Sequence, residues 1–172
     1  RAYWRDSRTW EECLRIGHTM ADEALRIVKD APTQKDPALS CEALDVRFPV
    51  ESDMMWGIVV GSPLNYPRNE NDKSVTTRLN LVNLGNAQIL TIPGEALPNI
   101  GFYLKRKMRG QHNLLFGLTN DAFGYILTKV DFNSFPRYEY VSETSLGEMT
   151  GEILIENSLD LVNKCPEPEK LE

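Results

Sequence analysis

Along the N-terminal part of the chain, Trp10, Cys13, Leu14, Gly17, Met20, Ala21, Ala24, Leu25 and Val28 recur at three- and four-residue steps. That spacing predicts a helix carrying one continuous apolar stripe. Thr9 fits its N-cap, and Glu12, three residues on, completes a capping box. Pro32 ends the helix, because proline lacks a donor and crowds the preceding turn. A stripe of this kind has to be buried against something.

The period then changes. Leu44, Val46, Phe48 and Val50 alternate with Asp45 and Arg47, which reads as a half-buried strand. From Glu51 to Ser74 the chain holds prolines and several Asn and Asp with little periodicity, predicting a long irregular insertion of the sort that forms lids or walls. Its apolar patch (Met54, Met55, Trp56, Ile58, Val59) suits a groove lining, ordinary core or a partner contact. Thr76–Asn83 and Ala87–Ile92 flank Gly85-Asn86, a hairpin pattern.

Pro93-Gly94-Glu95 follows the hairpin, then an amphipathic helix from Leu97 to Arg109 and a short buried strand from Leu114 to Leu118. Thr119-Asn120-Asp121 marks a turn ahead of Tyr125, and the last helix runs from Gly147 to Val162. Strand–helix–strand order around Glu95 predicts an α/β fold: a mixed layered sheet flanked by helices. The tail after Cys165 is rich in Pro and Glu and reads as frayed.

Composition adds exclusions. The 172 residues are 41% hydrophobic and 26% charged, and the net charge is -6. These are values of a folded domain, and the acidic balance argues against a nucleic-acid partner, which needs clustered basic surface. No apolar run approaches the roughly 20 residues that a membrane-spanning helix needs. The chain starts at Arg1 without a signal-peptide pattern, which predicts a processed or truncated N-terminus and leaves the compartment open. Three cysteines, Cys13, Cys41 and Cys165, fit neither a disulfide framework nor a cysteine metal site.

Two positions carry candidate chemistry. Glu95 is a carboxylate just past a strand, where ligand sites collect in open α/β sheets. The same spacing also suits an ordinary helix-start acid complementing the dipole. Tyr125, behind Asn120-Asp121-Ala122-Phe123-Gly124, likewise follows a strand, although a Tyr after Gly often only packs. His18 and His112 lack a second histidine at ligand spacing. Phosphate-loop, dinucleotide and GxSxG patterns do not occur.

Taken together, three segments resemble the neutral (alkaline, non-lysosomal) ceramidase family. They are Ala87–Glu95 ending in Pro-Gly-Glu, Gly117-Leu118 with Asn120 and Tyr125, and Arg137-Tyr138-Glu139, in that order. The resemblance covers roughly residues 76 to 147. It departs from the family at Ala122, where an aromatic is usual, and at Phe135-Pro136.

The resemblance implies that residues 1–165 are the C-terminal part of a larger α/β catalytic domain, with 166–172 a flexible tail. It implies a Zn2+ cofactor with Glu95 and Tyr125 as metal ligands, and Tyr138 as a catalytic residue near the scissile amide. It further implies hydrolysis of an N-acyl amide, ceramide or a related lipid amide, by metal-activated water. The histidine ligands belong to the family's N-terminal part, so that missing portion becomes an expected partner beside the lipid substrate. Peripheral membrane contact is compatible with such a substrate. A metal-free binding or assembly module on the same fold is the alternative.

Overall fold

Alternation from Ser74 to Leu84 builds the strand around which the rest is arranged. The computed structural model describes residues 8–170, which fall into a unit ending at Lys35 and a unit beginning at Asp36. In the first, α1 (Trp10–Lys29) is capped as expected, with Thr9 Oγ1 accepting from the Glu12 amide at 3.2 Å. The Glu12 carboxylate turns to Arg15, at 2.7 and 2.6 Å. No residue of α1 is buried, and Trp10, Leu14, Met20, Leu25 and Val28 of its apolar stripe are exposed.

The second unit is a mixed sheet flanked by helices. Its elements are β1 (Leu39–Pro49), α2 (Asp53–Gly61), β2 (Arg68–Asn69), β3 (Ser74–Leu84), β4 (Ala87–Thr91), β5 (Glu95–Ala96), α3 (Pro98–Lys107), β6 (His112–Phe116), β7 (Tyr125–Ile126), α4 (Glu139–Glu143) and α5 (Thr150–Lys164). Strand order is β1-β3-β4-β6, with β2 added on β3. β1 and β4 lie antiparallel to β3, whereas β6 runs parallel to β4. A parallel neighbour requires a crossover, and β5 and α3 provide it. The expected hairpin turns at Gly85, whose φ of +55° glycine adopts without steric cost.

The core is the row Val46, Phe48, Val75, Leu79, Leu81 and Leu90 of the sheet, covered by Ile100 and Leu104 of α3 and Leu154, Leu161 and Val162 of α5. Gln88 is fully buried within it and is satisfied on both sides. Its amide donates to Asn83 Oδ1 at 2.9 Å, and its Oε1 accepts from the Arg109 N–H at 3.0 Å. Asn83 in turn donates to Pro166 O at 2.9 Å. The Arg109 guanidinium bonds to Val162 O and Cys165 O at the end of α5. Residues 166–170 lie along this network: Glu169 N–H donates to Gly85 O at 3.0 Å and its carboxylate accepts from the Ala38 amide at 3.2 Å.

Two expectations change. The span Glu51–Ser74 is not irregular throughout, for α2 lies in it, capped by Ser52 Oγ accepting from the Met55 amide at 3.3 Å. Met55 and Val59 join the core while Met54 and Ile58 stay exposed. The helix expected from Leu97 begins at Pro98 with Leu97 as N-cap, so Glu95 belongs to a strand and not to a helix start.

Candidate functional site

The Pro93-Gly94-Glu95 turn is fixed by its backbone. Pro93 O accepts from the Phe123 amide at 2.9 Å, Gly94 O from the Leu118 amide at 3.1 Å, and the Glu95 amide donates to Gly124 O at 2.9 Å. β5 and β7 thereby form a two-stranded parallel ladder in which Glu95 stands opposite Tyr125. Tyr125 is bridged in the same direction to Ser145 on its other side, through its amide to Thr144 O at 3.1 Å. Residues in register on a parallel ladder send their side chains to the same face. Glu95, Tyr125 and Ser145 therefore form a row across three short segments.

Glycine makes this close approach feasible. A Cβ on Gly94 would lie 2.5 Å from Gly124 O. Gly124, at φ +75°, would drive a Cβ into Thr144 O. Each candidate ligand thus follows a glycine that no larger residue can replace without moving the ladder. The loop between β6 and β7 is pinned to β3. Asn120, in the left-handed region at φ +74°, donates to Arg78 O at 2.6 Å, and Thr77 Oγ1 donates to Asp121.

Glu95 is exposed and its carboxylate makes no hydrogen bond or ion pair among the described residues. Tyr125 is half-buried, and its ring meets that of Tyr140 edge-on at 6.0 Å. A carboxylate and a phenol oxygen, both without an internal partner, are donors that zinc accepts. The two together are an incomplete set, because a catalytic zinc takes about three protein ligands and the described residues hold no cluster of three or more His, Cys, Asp and Glu. The chain's own residues fit as a share of a metal site.

Tyr138 ends a 3-10 turn over Pro136–Tyr138, just ahead of α4. Its ring meets Phe135 at 5.7 Å and the Arg137 guanidinium at 5.3 Å. Sequence reasoning missed two neighbours of Tyr125: Tyr140, and Ser145, whose fully buried hydroxyl has no hydrogen-bond partner. Neither carried a signal beyond being near the Arg-Tyr-Glu segment. An open groove of about 480 Å3 borders Glu95, lined mainly by Ile92, Ala96, Leu115 and Leu118.

No protein-family model matches the chain, and no curated protein matches it. Among solved structures it is similar to a ceramidase complexed with C2, at 18% identity and a TM-score of 0.46 over 57% of this chain. It is also similar to the neutral ceramidase from Pseudomonas aeruginosa, at 17% identity and a TM-score of 0.42 over 56% of this chain. The chain spans 16% and 17% of the length of those two proteins. No helix among the described residues is long and apolar enough to cross a membrane.

Proposed function

We propose that this chain forms one wall of a zinc-dependent amide-hydrolase centre, acting on an N-acyl amide of the lipid class, with Glu95 and Tyr125 as two of the metal ligands. The observation that carries the reading is the in-register pairing of those residues behind two obligatory glycines. A carboxylate and a phenol held side by side, each with no other polar partner, form a divalent-cation half-site.

Zinc bound there would acidify a water from about pKa 15.7 to about 7 and polarise an amide carbonyl. Everything else falls to side chains. Glu95 contributes a charged oxygen at no cost in lost internal hydrogen bonds, since it makes none. Tyr125 would hold the ion through its phenol oxygen, with its ring braced by Tyr140. Tyr138 is assigned the hydroxyl that donates to the oxyanion developing on the substrate carbonyl. The groove of Ile92, Ala96, Leu115 and Leu118 offers an apolar wall beside Glu95, suited to a hydrocarbon chain and to keeping water from the reacting amide.

The test is zinc content of the intact protein, wild type and Glu95→Gln. About one zinc per complete site in the wild type and most of it lost in the variant, with the fold retained, supports the reading. A wild type devoid of zinc, or a variant with full metal and turnover, returns the chain to a metal-free binding or assembly module.

A further inference from the structure

The two edges of the main sheet differ in how they are finished. β1, at one end, carries Glu42, Asp45 and Arg47, charges that discourage pairing with another strand. β6, at the other end, has no Lys, Arg, Asp, Glu or Pro from His112 to Leu118. Its Leu114, Phe116 and the following Leu118 are 41%, 48% and 55% exposed. β6 is also parallel to β4, and parallel strands belong to sheet interiors, apolar on both faces and flanked on both sides.

Backbone direction shows what the outer edge offers. Phe116 O accepts from the Ile92 amide at 2.8 Å and the His112 amide donates to Asn86 O at 3.4 Å, so His112, Leu114 and Phe116 turn their peptide groups toward β4. By alternation, Asn113 and Leu115 turn theirs away from it. Among the described residues no strand pairs with that side. Leu115 and Leu118 also line the groove that borders Glu95, so a strand laid along β6 would run beside the half-site.

We propose that the outer edge of β6 receives a further β-strand, extended and uncharged, from the complementary portion of the catalytic domain, and that this strand closes the groove beside Glu95. The addition of a strand rests on the edge alone; its source in the complementary portion rests on the metal-site reading.

Hydrogen exchange on the intact protein, resolved by residue in β6, tests this. The Leu114 amide, already within the ladder, is the internal standard. Leu115 protected to within about 10-fold of Leu114, at all protein concentrations, is the expected result. Leu115 exchanging more than about 100-fold faster than Leu114 would mean a bare edge and would overturn the proposal. Protection that disappears on dilution, in step with dissociation of a dimer, would assign the edge to a second copy and overturn it as well. Zinc content of the same sample separates the two ideas. Protected Leu115 without zinc sinks the metal reading and with it the assignment of the strand to the complementary portion, leaving the added strand itself. An unprotected Leu115 with zinc bound sinks only the added strand.

Discussion

Gly94 approaches Gly124 so closely that a Cβ on the first would lie 2.5 Å from the carbonyl oxygen of the second. These are the residues immediately before Glu95 and Tyr125, and the contact holds the ladder that aligns them. Gly94→Ala places the added methyl against backbone, which cannot swing aside as a side-chain tip would. The expected loss is about 1–3 kcal/mol, the range for overpacking a fitted site, together with loss of metal. Gly57→Ala is the control: a Cβ there meets nothing within 4 Å, and alanine is favoured over glycine in a helix by about 1 kcal/mol. Denaturant unfolding of both variants checks the pair. A Gly94→Ala protein as stable as the parent would mean the ladder is not tight.

Why this ladder was only half legible follows from its size. The strands β3 and β4 and the helices α1 and α5 announce themselves because apolar residues recur along them at a fixed period. β5 and β7 are two residues each and have no period at all. Glu95 consequently reads as an acid near a helix start, although Ala96 and Leu97 separate it from Pro98, where α3 begins. Its pairing with Tyr125 is a long-range register, and local pattern does not encode that. The two glycines were the available clue. α2 was missed for a different reason: Met54 to Val60 is apolar nearly throughout, so no amphipathic period shows. Ser52 and Asp53 were the signal that could have found it, as cap and first-turn acid.

Gln88, fully buried, links the Asn83 side chain to the Arg109 backbone. Gln88→Ala leaves Asn83 Oδ1 and the Arg109 amide without their buried partner, a penalty of about 1–3 kcal/mol. The Pro166 carbonyl is reached through Asn83, so residues 166–170 are expected to become more protease-sensitive in the same variant. Limited proteolysis followed by mass spectrometry reads this. Unchanged cleavage would mean that Glu169 and the Glu167–Arg109 ion pair hold the tail without the Gln88–Asn83 link.

The three cysteines should separate by reactivity. Cys13 and Cys41 are exposed, whereas Cys165 is buried. Burial, aided by the negative charge of Glu42, pushes the Cys165 thiol above its ordinary range. The thiolate is the reactive form, so iodoacetamide is expected to modify Cys13 and Cys41 first and Cys165 only on unfolding. The sign of the linked stability follows from the raised value. The neutral thiol's contribution is fully present below the unfolded pKa and is lost as pH rises through the folded one. Cys165→Ser should therefore flatten the alkaline limb of the stability curve; an unchanged limb would exclude this thiol as its source.

Tyr125 and Tyr138 are both phenols, yet they are assigned different work, and removing one oxygen from each separates the roles. In Tyr125→Phe the ring still meets Tyr140 and the backbone ladder is untouched, so the fold should persist while the proposed metal ligand is gone. Zinc affinity should fall by about 10-fold or more, the lower end of the cost of losing a supporting group and a minimum for losing a ligand. In Tyr138→Phe the metal donors remain. Zinc content should match the parent while turnover falls by about 100–1000-fold, the cost of losing one oxyanion donor. The measurement is metal content beside kcat on an N-acyl amide, for both variants of the intact protein. Zinc lost from Tyr138→Phe but retained in Tyr125→Phe would exchange the two assignments, and the β5–β7 ladder would then carry Glu95 as its one proposed ligand.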